Sequence, residues 1–213
     1  MLQRNRMLMP KAAADGMRIA PIWSVNGALF RARQSHSPNS DARPPDALIN
    51  LLVIHGISLP PGHFRGSAIE KLFTNRLDHG AHESLDSLRG LRVSSHFLIR
   101  RGGTLIQFVP CDHRAWHAGV SAWAGRDRCN DFSIGIELEG ADDIQYTRQQ
   151  YRQLARVTRE IMVRYPIAAV VGHHQIAPGR KTDPGPAFSW STYRSLLETR
   201  SSGLDLPGFP ALR

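Results

Sequence analysis

His173, Lys181 and Asp183 share one short stretch, GHHQIAPGRKTDPGPAF (residues 172–188), whose glycines and prolines argue against a regular helix or strand. An irregular but fixed loop on a rigid scaffold is where chemistry is usually placed. The preceding IAAVVG (167–172) reads as a buried strand that delivers His173 to the end of a sheet, and LLVIH (51–55) delivers His55 in the same way. Two imidazoles and one carboxylate make three ligands, the number that a catalytic zinc site uses while keeping its fourth position for water. A structural zinc would want four protein ligands, usually with thiolates. His55, His173 and Asp183 therefore read as an open metal site for Zn2+. In an extended chain neighbouring side chains point to opposite faces, so His173 rather than His174 is expected to reach the metal.

Other elements must hold these groups in place. FSIGIELEG (132–140) alternates as a strand, with Ile134 and Ile136 on one side and Glu137 beside Gly135 on the other, which puts a carboxylate at the end of the sheet where the metal belongs. RVSSHFLIRRGGTLIQFVP (92–110) reads as a β-hairpin turning at Gly102–Gly103. Thr147 and Gln150 have capping-box spacing before a long helix with Tyr151, Leu154, Val157 and Ile161 on one face. Ser67 and Glu70 have the same spacing before SAIEKLFTNRL. A last helix, WSTYRSLLETR (190–200), turns Trp190, Tyr193, Leu196 and Leu197 inward. Trp116, His117 and Trp123 sit in a loop, where aromatics either hold a sugar or peptide or pack on the domain. Strands followed by helices, with ligands at strand ends, imply an α/β fold with a mixed central sheet flanked by helices.

Composition limits the alternatives. The chain has 213 residues and 41% hydrophobic content, enough for one domain with a real core. Residues 1–16 read as a disordered tail, with Met17 a candidate start. Residues 17–200 read as the folded domain and 201–213 as a C-terminal tail. The net charge is +9, but the 27 Lys and Arg are scattered and match no nucleic-acid module, so a substrate carrying carboxylates is the better reading and no nucleic-acid partner is expected. Cys111 and Cys129 form no framework and fit a reducing compartment. Neither an export signal nor an apolar run long enough to span a membrane is visible, so a cytoplasmic monomer without membrane contact is expected.

Together HGISLPPG, VSSHFLIRRGG, RAWHAGVS, RCNDFSIGIELEG and GHHQIAPGRKTDPG resemble the zinc N-acetylmuramoyl-L-alanine amidases, in the branch acting on 1,6-anhydro-muramyl peptides. That family shares its fold with peptidoglycan-recognition proteins. The resemblance runs from about Trp23 to about Leu197 and implies His55, His173 and Asp183 as zinc ligands, with Glu137 and Lys181 as the catalytic side chains. It implies substrate contacts for Arg92, Trp116 and Arg128. The small-molecule substrate would be a muropeptide, cleaved between N-acetylmuramic acid and L-alanine during peptidoglycan recycling. Gly56 stands where an asparagine often follows the first ligand, and Gln175 where an aspartate often precedes Ile-Ala-Pro. Two rival readings are an autolysin or lysin acting on polymeric wall and a non-catalytic peptidoglycan-binding module; the latter would typically lack a ligand.

Overall fold

The computed structural model describes residues 22–199 and 205–210. In chain order its strands are β1 (Arg33–Gln34), β2 (Ser40–Ala42), β3 (Leu51–Ile57), β4 (Phe97–Ile99), β5 (Leu105–Gln107), β6 (His113–Ala115), β7 (Ala122–Trp123), β8 (Arg126–Asp127), β9 (Ser133–Glu139) and β10 (Ala169–Gly172). The α-helices are α1 (Ala68–Phe73), α2 (Arg148–Arg164), the single turn α3 (His173–Ile176) and α4 (Trp190–Glu198). The main sheet has the order β1-β5-β4-β9-β3-β10. Only β4 and β5 pair antiparallel in it, as the hairpin turning through Gly103, whose amide donates to Arg100 O at 2.8 Å. The fold is the mixed sheet flanked by helices that the sequence implies.

A parallel strand must be covered on both faces, because its crossover connections lay further elements over the sheet. Accordingly β9 is buried along its whole length and β3 from Leu51 to His55. Register then does the positioning. His55 lies opposite Glu137 in the β3–β9 pair, and β10 ends at Gly172 opposite Ile54, so the next residue, His173, emerges beside His55.

Helix α2 begins with the expected capping box: Thr147 Oγ1 accepts from the Gln150 amide at 3.2 Å, and Gln150 Oε1 accepts from the Thr147 amide at 3.0 Å. Its stripe of Tyr151, Leu154, Val157 and Ile161 is buried in the main core, each aliphatic contributing roughly 1.5–3 kcal/mol. Helix α4 packs against it through Tyr193 and Leu197, and the Tyr193 hydroxyl lies 2.6 Å from Thr158 Oγ1.

The sequence reading needs correcting at three points. Ser67 precedes α1 but makes no side-chain cap bond, and the Glu70 carboxylate that would complete a capping box is taken by Arg100 and Arg33, each at 2.8 Å. The stretch 23–48, assigned no element from the sequence, contributes β1 and β2. It is also tied down by Arg43, whose guanidinium donates to the carbonyls of Cys111, Asn130, Asp131 and Ser133 at 2.8–3.2 Å. Finally, His173 opens a helical turn, where an irregular loop was expected.

Residues 1–16 and 17–21 lie outside the described residues, as do 200–204 and 211–213. Within the expected C-terminal tail, 205–210 lies along the open edge of β10. There the Gly208 amide donates to Ala168 O and its carbonyl accepts from the Val170 amide, both at 2.8 Å. These bonds use backbone groups that an edge strand otherwise leaves unpaired. Among the described residues no helix is long and apolar enough to cross a membrane.

Candidate metal centre and active site

The ends of β3 and β10 bring two imidazoles together, and the loop after α3 returns to add a carboxylate. His55 Nδ1 lies 3.0 Å from His173 Nδ1, and Asp183 Oδ2 lies 3.2 Å from each. These are the residues that the sequence pairs across more than a hundred positions. They form the one cluster of three or more metal-capable side chains found among the described residues. At bond lengths of about 2.0–2.1 Å, the corners of a tetrahedron around zinc stand about 3.3 Å apart, so the three atoms are spaced as its ligands would be.

The loop is held from behind. His174 faces away from the cluster, and its amide and Nδ1 both meet Asp183 O, at 3.1 and 3.2 Å. It is thus the helical turn of α3, rather than the alternation of an extended chain, that separates the two neighbouring histidines. Gln175 caps the same turn, its Oε1 accepting from the Gly172 amide at 2.7 Å. Gly56 is explained by Tyr146: a Cβ at that position would run into the tyrosine hydroxyl, which donates to Pro184 O at 2.9 Å.

Electrostatics favour the ligand form of each group. Burial pushes His55 down to about 4 against the attraction of Asp183, so its imidazole is neutral at physiological pH. Burial would raise Asp183, but the two imidazoles beside it outweigh that and hold it well below the usual carboxylate range. His173 Nε2 faces Ala118 O at 3.2 Å; a carbonyl only accepts, so the proton sits on Nε2 and Nδ1 is bare toward the cluster.

Glu137 stands across from His55 and is 8% exposed. Its Oε2 is buried with no hydrogen-bond partner among the described residues. Burial first, and then the charge of Asp183, push its carboxyl well above the usual range, while Lys181 pulls it down. An unpartnered carboxyl of raised pKa is suited to taking and giving protons near neutral pH.

His55, Glu137, His173, Lys181 and Asp183 line a cavity of about 230 Å³ whose lining also includes the apolar Ile57, Leu59, Leu88, Leu91 and Val93. The three substrate contacts implied by the resemblance lie off its lining. Arg92 lines a neighbouring hollow with Leu77 and His79, and the Trp116 indole donates to Asp41 at 3.2 Å. Arg128, 70% exposed in its side chain, pairs with Asp131 at 3.2 Å. Sequence reasoning missed His117 as part of the site. It is not an exposed loop aromatic but is buried behind His55, with its Nδ1 2.9 Å from His55 Nε2. The one available signal was its place in RAWHAG, just past a short strand.

Two histidines at the ends of neighbouring strands and an aspartate from a loop, with a buried carboxyl opposite, make a layout that metal-dependent hydrolases use. The model of the N-acetylmuramoyl-L-alanine amidase family matches residues 44–186, and the chain belongs to that family and is an amidase. It is 55% identical over 177 residues to 1,6-anhydro-N-acetylmuramyl-L-alanine amidase AmpD of Citrobacter freundii, covering 82% of this chain and 95% of that one. The Escherichia coli K12 AmpD is 54% identical over 178 residues, covering 83% and 97%. A crystal structure of a selenomethionine AmpD derivative superposes with a TM-score of 0.79 at 56% identity, covering 81% and 97%. The E. coli amidase AmiD, solved with anhydro-N-acetylmuramic acid-L-Ala-D-γ-Glu-L-Lys, superposes with a TM-score of 0.51 at 33% identity, covering 72% and 60%.

Proposed function

We propose that this amidase cleaves the bond between 1,6-anhydro-N-acetylmuramic acid and L-alanine in soluble muropeptides, in cytoplasmic peptidoglycan recycling, with zinc held by His55, His173 and Asp183. The observation that carries the reading is the convergence of these three side chains at 3.0–3.2 Å beside the unpartnered Glu137 Oε2. The near whole-length likeness to AmpD supports the soluble substrate. AmiD matches over 125 residues and 45% of its length, and the phage K11 endolysin over 88 residues.

Zinc bound there would lower the pKa of water to about 7 and polarise the scissile carbonyl. Glu137 Oε2 takes the proton of the attacking water and passes it to the departing L-alanine nitrogen, in line with a carboxyl whose pKa burial raises well above the usual range. The Lys181 ammonium, in the lining of the same cavity, opposes the charge that develops on the carbonyl oxygen. The apolar lining of the cavity, from Leu59 to Val93, excludes water from the reacting bond and strengthens both effects.

The test is incubation of the purified protein with 1,6-anhydro-N-acetylmuramyl peptide and, separately, with intact sacculi, each with and without chelator. Chelator-sensitive peptide release from the soluble substrate supports the proposal. Faster release from sacculi would move the enzyme to the lysin-type reading, and no release from either would favour a binding module.

A further inference from the structure

His55 presents Nδ1 to the metal cluster, so the location of its only proton when neutral decides whether it can serve as a ligand. If Nδ1 carried the proton, His55 would donate to Asp183 and have no lone pair to offer. The choice is made outside the cluster, by a chain of groups running away from it. Ser133 Oγ lies 2.5 Å from Cys129 O, and because a carbonyl only accepts, the single hydroxyl proton points there. Ser133 Oγ also lies 3.2 Å from His117 Nε2; having no second proton to give, it accepts, so His117 carries its proton on Nε2. His117 Nδ1 is then bare, and at 2.9 Å it accepts from His55 Nε2. His55 Nδ1 is consequently left bare, facing the metal.

We infer that His117 is a positioning residue, which with Ser133 fixes His55 in the one tautomer able to bind the ion. The local fold accommodates the ring for this task. His117 is buried over β9, where a Cβ on Gly135 would come within 2.5 Å of its Cγ, so glycine is the residue that leaves room. Its amide and that of Ala118 both donate to Asn130 Oδ1, at 3.2 and 2.8 Å, which fixes where the ring leaves the chain. His96 packs edge-on at 5.6 Å and does not compete: its Nδ1 accepts from the Gly135 amide at 3.0 Å and its Nε2 donates to His113 O at 3.0 Å. Partners that set tautomer and orientation in this way typically account for 10- to 100-fold in metal affinity.

The inference rests on the zinc reading of the cluster, and two measurements separate them. The first is zinc affinity by chelator competition in the parent protein, His117→Phe and His117→Asn. Phenylalanine removes the acceptor, whereas asparagine places its Oδ1 near the position of Nδ1. The expected result is about 10- to 100-fold weaker zinc binding for His117→Phe and recovery to within about threefold of the parent for His117→Asn. Equal affinity in parent and His117→Phe, or equal losses in both variants, would overturn the inference while leaving zinc binding intact. The second is the imidazole nitrogen and proton shifts of His55 in the metal-free parent, read by NMR, which needs neither a variant nor metal. A proton on Nε2 is expected, and one on Nδ1 would overturn it. If the parent binds no zinc the metal reading fails, and this tautomer measurement still decides.

Discussion

Glu137 and Glu139 are the same residue type, two positions apart on β9 and thus on one face of it, yet their surroundings differ in every respect. Glu139 is saturated: Oε1 accepts from Arg100 and the Arg65 amide, each at 2.8 Å, and Oε2 from the Arg101 amide at 3.1 Å. It binds the loop after β3 to the hairpin turn. Glu137 has a buried oxygen with no hydrogen-bond partner among the described residues and a raised pKa beside Asp183. One carboxylate is held by donors and serves the structure, while the other is left without them and is free to move a proton. Under the proposed mechanism, what the fold withholds from a side chain, not residue type, separates the two roles.

The comparison can be broken in four ways. The largest expected effect is on turnover: Glu137→Ala should lower kcat by about 10²- to 10⁴-fold with zinc retained, measured with anhydro-muropeptide alongside metal content. Full activity would place Glu137 with Glu139 as a structural group. The converse substitution, Glu139→Ala, should destabilise the fold by about 1–3 kcal/mol, because it leaves two backbone amides and Arg100 Nη1 without their acceptor while Arg100 keeps Glu70. Denaturant unfolding would show this, and a loss below about 1 kcal/mol would mean the clamp is replaceable. Lys181→Ala should reduce kcat by about 10²- to 10³-fold. It should also move the acid limb of the pH–rate profile upward, since Lys181 is what pulls the Glu137 pKa down.

The smallest effect is on stability. A carboxyl whose pKa is raised by folding stabilises the native state only below its unfolded pKa, and that contribution is lost as pH rises through the folded value. Metal-free Glu137→Gln should therefore melt about 2–4 °C above the metal-free parent at neutral pH and no higher at pH 4. A glutamine without that gain would show that the Glu137 charge is accommodated after all.

Much of this site could be read from the chain because the residues proposed to hold the metal obey local rules. His55 and His173 follow apolar β-branched runs, and Asp183 lies in a loop whose glycines and prolines announce it. Glu137 was legible from simple alternation along β9. What escaped depended on contacts between distant segments. His117 sits where its ring lands over Gly135, and Arg43 reaches carbonyls from two distant segments; beyond the place of His117 in RAWHAG, nothing local to either residue marks it. Strands β1 and β2 have two and three residues, too few for any periodicity. The Ser67–Glu70 spacing failed because two guanidinium groups outcompete a helix-end amide for one carboxylate. Arg92 and Arg128 came from resemblance alone and Trp116 also from its place in an aromatic loop, and all three lie off the lining of the cavity at His55, His173 and Asp183.

Everything proposed for the site depends on one ion bound by three side chains. Zinc content per chain, measured by mass spectrometry of metals in the parent and in Asp183→Ala after identical equilibration with zinc and removal of the excess, tests it most directly. The account predicts one zinc in the parent and close to none in the variant. A parent without zinc, or a variant that keeps its full complement, would contradict it.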